Sequence, residues 1–175
     1  MRRILLKIAY DGTNYNGWQE VSTGKGIEEV INLSLSDLLP LERPKVIGAS
    51  RTDAGVHADC NICVFDTNSN IKEDKFTFAL NDRLPLDIRV RESKEVDKKF
   101  HPRKNKSIKT YLYKIYTNNT MDPLQRLYSF YVFHPINTER MIEASKYLIG
   151  EHDFKSFCNP EAQIVKNNLS TIRHI

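Results

Sequence analysis

Hydrophobic residues at positions 1–96 recur with two periods, and the order of these periods limits the fold more than any other feature of the sequence. A period of two predicts a half-buried strand, and steps of three and four predict one face of a helix. The predicted elements are a strand at 4–10, a helix at 26–39, strands at 45–47 and 60–65, a helix at 73–81 and a strand at 88–91. This β-α-β-β-α-β order is typical of a ferredoxin-like fold, in which two helices cover one face of an antiparallel sheet. We therefore expect an α+β N-terminal half at residues 1–96.

The remaining residues, 97–175, contain fewer such segments. Alternation predicts strands at 110–116 and 128–133, and the start of another at 170–175. Asn137 is a typical N-cap for a helix that ends near Gly150. We expect a second half with fewer elements than the first, and the length of the chain allows two halves that share a cleft.

The loop Gly48–Ala58 separates two of the predicted strands and contains mostly small side chains. Such a loop lets a large ligand approach the backbone, and Gly55 permits a backbone conformation that other residues avoid. Its only carboxylate is Asp53, and Arg51 could keep that carboxylate ionised. These residues alone leave two interpretations open: a tight turn held by an Arg51–Asp53 ion pair, or a site at which the carboxylate does chemistry.

Basic residues are concentrated at the start of the second half, although the net charge of the chain is only +4. No acidic residue lies between Lys98 and Lys114. This local excess predicts a polyanionic partner. The expected phosphate contacts are Lys98, Lys99, Arg103, Lys104, Lys106 and Lys109; the alternative is a solvated loop.

The three cysteines indicate no disulfide framework. Cys60 and Cys63 have the spacing of a metal or redox pair, but residues three apart on a strand point to opposite faces. We therefore predict buried structural thiols and no metal site. No apolar run is long enough to span a membrane and no signal peptide is evident, so a cytoplasmic protein is expected.

The loop sequence Arg-Thr-Asp-Ala-Gly-Val-His, at 51–57, resembles the signature of the TruA family of tRNA pseudouridine synthases. Further segments resemble family motifs in the same order, at 10–19, 79–90, 100–113 and 150–157. The chain departs from the family pattern at Glu20–Val21, where a second Gln is usual, and at Cys60–Ile62, where Gly-Gln-Val is usual. Family members are also expected to continue for several dozen residues beyond Ile175.

The resemblance implies a pseudouridine synthase fold, with the ferredoxin-like first half and a related, C-terminally incomplete second half around a central cleft. It also implies an enzyme that isomerises uridine in the anticodon stem-loop of tRNA, at tRNA positions 38–40. It assigns the nucleophile to Asp53, extrusion of the target base to Arg51 and contact with the flipped base to Tyr111. No cofactor is implied, because the reaction only rearranges atoms. Family members act as homodimers, so a homodimer is expected. The alternative is a catalytically silent, truncated RNA-binding paralogue of the same fold.

Overall fold

The computed structural model describes residues 1–20, 22, 24–158 and 169–175. The chain forms two compact units, Met1–Thr110 and Tyr111–Ile175. The N-terminal unit thus includes residues 97–110, which were predicted to belong to the second half. The division at residue 96 into functional domains stays a prediction.

The N-terminal unit contains one four-stranded sheet and two helices. Its elements are β1 Arg2–Tyr10, α1 Ile27–Leu38, β2 Ile47–Gly48, β3 Ala58–Thr67, α2 Phe76–Asn81 and β4 Ile88–Val96, with a 3-10 turn at Glu73–Lys75 before α2. The strand order is β2-β3-β1-β4, and all neighbouring strands are antiparallel. The elements follow one another in the predicted order, in a mixed α/β arrangement.

One face of the sheet packs against both helices. Alternate residues of β1 point into this core, because side chains of a strand alternate between its two faces. Helix α1 contributes Ile27, Ile31 and Leu35, which recur at helical spacing, and all three are buried. Phe65 of β3 meets Phe76 of α2 edge to face, with ring centroids 5.3 Å apart.

The two strand cysteines point to opposite faces, as the sequence predicts. Cys63 is buried in the core, and its burial raises the pKa of its thiol. Cys60 is exposed, so the prediction that it is a buried thiol is wrong. Its side chain leaves the sheet on the face that the helices do not cover. Among the described residues, no cluster of His, Cys, Asp or Glu side chains could hold a metal ion.

The C-terminal unit contains two small sheets and one helix. Strand β5 Ile115–Thr117 pairs in parallel with β6 Phe130–Val132, and β7 Gly150–Asp153 pairs antiparallel with β8 Leu169–Ile172. Helix α3 Thr138–Ser145 begins with the predicted N-cap, since the Asn137 side chain accepts a hydrogen bond from the Arg140 amide.

The strand predicted at 110–116 is mostly absent. Only its last two residues belong to β5, and residues 110–114 are all exposed and form no strand. Alternation favours a strand only when one face is buried against a partner. In the described part of the chain, no helix is both long and apolar enough to cross a bilayer.

Candidate active site

The loop that carries Asp53 connects β2 to β3 at one end of the sheet. Its first residues are held by β3. The amide of Ala49 donates to the carbonyl of Ile62 at 2.7 Å, and the side chain of Asn61 bonds both backbone groups of Ser50, at 3.1 and 3.2 Å. Asn61 is only 4% exposed. The start of the loop is therefore fixed by a buried side-chain amide whose oxygen and nitrogen are both hydrogen bonded.

The middle of the loop is held by residues 11–18, which follow β1. The amide of Trp18 donates to the carbonyl of Thr52 at 2.9 Å, and the amide of Gly55 donates to the carbonyl of Tyr15 at 3.2 Å. The hydroxyl groups of Tyr10 and Thr52 lie 2.8 Å apart. These bonds come from both sides of Asp53, so the backbone that carries its carboxylate is supported before and after it.

Gly17 permits this close approach of the two loops. Its φ angle is +96°, and a Cβ atom there would lie 2.6 Å from the carbonyl oxygen of Thr52. Trp18, only 1% exposed, then packs its indole against Gly48, where a Cβ atom would lie 2.5 Å from the ring. The N-terminal loop therefore serves as the support of the Asp53 loop.

His57 fastens the end of the loop. Its Nδ1 lies 3.1 Å from the amide nitrogen of Gly12 and 3.0 Å from a carboxylate oxygen of Asp11. One nitrogen cannot accept from the amide and donate to the carboxylate in the same state. With Nδ1 unprotonated the ring accepts from the Gly12 amide, and with a proton on Nδ1 it donates to the Asp11 carboxylate. Either bond gives His57 the structural role that the loop requires.

Asp53 itself is exposed at the tip of the loop, next to Arg51, which is also exposed. Its backbone carbonyl accepts from the Val56 amide at 3.2 Å, in a turn completed by Gly55 with φ +77°. No ion pair within the described residues joins Asp53 to Arg51. The interpretation of a turn held by that pair is therefore wrong, because backbone hydrogen bonds to residues 12–18 hold the loop.

The basic segment divides into residues that contact the loop and residues that do not. Arg103 Nε donates to the carbonyl of Gly48 at 3.0 Å, and Lys109 Nζ donates to that of Ala49 at 3.2 Å. With Arg51 they line an open groove of about 470 Å³, together with Ala49, Pro102 and Ser107. The other predicted phosphate contacts are exposed and form no ion pair with any described residue: Lys98, Lys99, Lys104 and Lys106.

Glu28, in the first turn of α1, is half-buried and has no signal in the sequence. Burial is the main cause that raises the pKa of its carboxyl. A hydrogen bond from Trp18 and the positive charges of Arg103 and Arg51 act in the opposite direction. The half-buried carboxyl of Glu28 thus interacts electrostatically with both arginines.

Comparisons with known proteins agree with this geometry. A family model described as tRNA pseudouridine synthase matches residues 7–103, which span the sheet, the Asp53 loop and Arg103. tRNA pseudouridine synthase A of Acetivibrio thermocellus is 41% identical over 175 residues, all of this chain and 71% of the relative. The chain belongs to the tRNA pseudouridine synthase family.

Two further relatives in the family extend the match over both units. tRNA pseudouridine synthase A of Ruminiclostridium cellulolyticum is 43% identical over 175 residues and is covered to 69% of its length. tRNA pseudouridine synthase A 2 of Clostridium perfringens is 41% identical over 175 residues and is covered to 71%.

Three residues that support the loop in this family member had weak sequence signals. Gly17 is one glycine among several in a turn-rich loop, Trp18 is the only tryptophan of the chain, and Asn61 stands in a strand. Their contacts join positions far apart in sequence, which periodicity does not report. Tyr111 lies in the other unit and is 78% exposed, so its contact with a flipped base stays a prediction.

Proposed function

We propose that the chain isomerises uridine to pseudouridine in tRNA, with Asp53 as the nucleophile. The observation that carries this proposal is the exposed Asp53 carboxylate on a loop whose backbone is hydrogen bonded on both sides to residues 12–18. A fixed backbone with an exposed carboxylate is the arrangement that preorganised nucleophilic catalysis needs. Membership of the family and the names of the relatives support the same reaction.

The reaction rearranges atoms without net oxidation or reduction. A carboxylate oxygen of Asp53 attacks C1′ of the ribose, and the bond from C1′ to N1 of uracil breaks. The detached uracil turns, C5 bonds to C1′, and the carboxylate is released. The proton on C5 is lost and N1 gains one, so the product is an isomer of the substrate. No cofactor takes part in these steps.

Arg51 and Tyr111 handle the target base in this proposal. The guanidinium of Arg51 enters the space that the extruded uridine leaves. Extrusion costs a few kcal/mol. Stacking on an aromatic ring recovers about 1–3 kcal/mol per base, and the exposed ring of Tyr111 is available for it.

We propose that the anticodon stem-loop is the region of tRNA that the chain modifies. We also propose that the chain acts as a homodimer and in the cytoplasm. The exposed lysines Lys98, Lys99, Lys104 and Lys106 are the proposed phosphate contacts. Such contacts predict that the affinity for RNA falls steeply with salt. For the N-terminal unit we propose a ferredoxin-like arrangement, supported by its strand order and by two helices on one face.

The test is to incubate the full chain with an unmodified tRNA transcript and to detect pseudouridine by mass spectrometry after chemical labelling. The matched control is Asp53→Asn, which keeps the shape of the side chain and removes the nucleophilic charge. We expect product from the wild type and none from Asp53→Asn, with tRNA affinity retained. Product formed at equal rates by both chains would overturn the role of Asp53, and binding without product would favour the silent RNA-binding paralogue.

A further inference from the structure

We propose that Arg103 is a positioning residue that couples binding of an RNA phosphodiester in the groove to the placement of the Asp53 loop. This inference rests on the proposed function for its substrate, the backbone of tRNA. It goes beyond a phosphate contact, because the Arg103 guanidinium also holds the protein backbone from which the loop begins.

The anchor is the hydrogen bond from Arg103 Nε to the carbonyl of Gly48, at 3.0 Å. Gly48 is the last residue of β2 and is paired with Cys63 of β3. On its other side the buried indole of Trp18 packs against it. The carbonyl that Arg103 binds is therefore a rigid point, and the loop begins at the next residue.

The rest of the Arg103 side chain is available to the groove. A guanidinium presents five N–H donors in a fixed plane, so Nε can bind one group while the terminal nitrogens bind another. The hydrogen bonds of the described residues occupy only Nε. Arg103 lines the groove together with Arg51 and Lys109, and a bidentate pair with phosphate is a favoured geometry for a guanidinium.

Glu28 is a half-buried acid. Burial raises the pKa of its carboxyl, and the positive charges of Arg103 and Arg51 act in the opposite direction. A phosphodiester would add a second negative charge on the open side of the groove and restrain both guanidinium groups.

The coupling between phosphate binding and loop placement depends on the planar set of N–H donors of the guanidinium rather than on its charge. A lysine at position 103 would keep the positive charge, but its single ammonium is a point charge on a flexible stem. It can contact the phosphate or the Gly48 carbonyl without fixing both in one plane. Arg103→Lys should therefore keep RNA affinity and lose the positioning.

The kinetic test compares Arg103→Lys with Lys104→Ala, which removes an exposed charge from the neighbouring position and touches no loop residue. We expect kcat to fall about tenfold in Arg103→Lys with KM within about twofold of the wild type. Lys104→Ala should act mainly through KM. Free guanidinium ion should restore part of the activity of Arg103→Ala. The same KM-dominated effect in Arg103→Lys and Lys104→Ala would overturn the proposal.

A second measurement does not depend on product. Amide hydrogen exchange of the loop is followed in the full chain with and without an anticodon stem-loop RNA. We expect the RNA to slow exchange at residues 49–56 about tenfold in the wild type and not in Arg103→Lys at equal saturation. Failure of the proposed reaction alone would leave this result intact. Unchanged exchange in RNA-saturated wild type, or absence of RNA binding, would overturn the coupling.

Discussion

At the scale of single residues, the conformation of the Asp53 loop is more sensitive to Gly17, outside the loop, than to Gly55 within it. Gly17 has φ +96°, and a Cβ atom there would meet the backbone oxygen of Thr52, which cannot move away cheaply. Gly55 has φ +77°, but a Cβ atom there would meet nothing within 4 Å. A comparison of substitutions at the two glycines therefore distinguishes the effect of a steric clash from that of backbone strain alone.

We predict that Gly17→Ala destabilises the chain and displaces the loop, while Gly55→Ala costs only the strain of a left-handed backbone, about 1–2 kcal/mol. Gly17→Ala should lose more than this, because the clash adds to the strain. Urea unfolding measures the difference, and pseudouridine formation reports the loop geometry. Equal losses of stability in the two variants would show that the contact with Thr52 is not important.

At the scale of elements, an ion pair between Arg3 and Asp66 joins β1 to β3. Arg3 also contacts the backbone of the basic segment near its start. Arg3 binds both carboxylate oxygens of Asp66 at 2.7 Å, directly across the sheet, and its third nitrogen donates to the carbonyl of Phe100 at 2.8 Å. The Arg3 hydrogen bonds are the main cause that holds the pKa of the Asp66 carboxyl below its usual 3.8. The pair therefore stabilises the fold only while Asp66 is ionised.

The sign of the pH effect follows from that lowered pKa. The stabilisation is present above pH 3.8, and it is lost as the pH falls through the lower pKa of the folded state. We predict that Asp66→Asn lowers stability at neutral pH and removes part of the decline below about pH 4. Unfolding curves from pH 7 to pH 2 test this. The control is Asp59→Asn, which removes a carboxylate of the same strand whose ion pair with Arg91 is much more exposed. An unchanged acid decline in Asp66→Asn would contradict the prediction.

The element scale also shows what sequence could and could not predict. Residues of β1 and α1 repeat with the period of their structure because one face of each is buried, so their order was predictable. The strand expected at 110–116 failed because its alternating residues have no buried face. The supports of Asp53 were not predictable from periods, since Gly17 acts through its close approach to Thr52 and Asn61 through its side-chain amide, both far along the chain from their contacts or outside any periodic pattern.

At the scale of the whole molecule, the two units differ in how their backbone hydrogen bonds are protected. The sheet of the N-terminal unit lies over a core of fully buried side chains such as Leu6, Phe65 and Leu80. None of the described residues in the C-terminal unit is buried, although its strands β5–β8 are paired. Pairing without apolar burial gives little resistance to local opening.

We therefore predict that amides of β1 and β3 exchange with solvent at least about 1,000-fold more slowly than paired amides of β7 and β8, because the former open only with the core. Hydrogen exchange of the full chain, read strand by strand, provides the measurement. Comparing paired strands with paired strands removes the trivial effect of free loop amides. Equal protection of β1 and β7 would mean that hydrogen-bond pairing alone sets the stability of the C-terminal unit, and the link between burial and protection would fail for this chain.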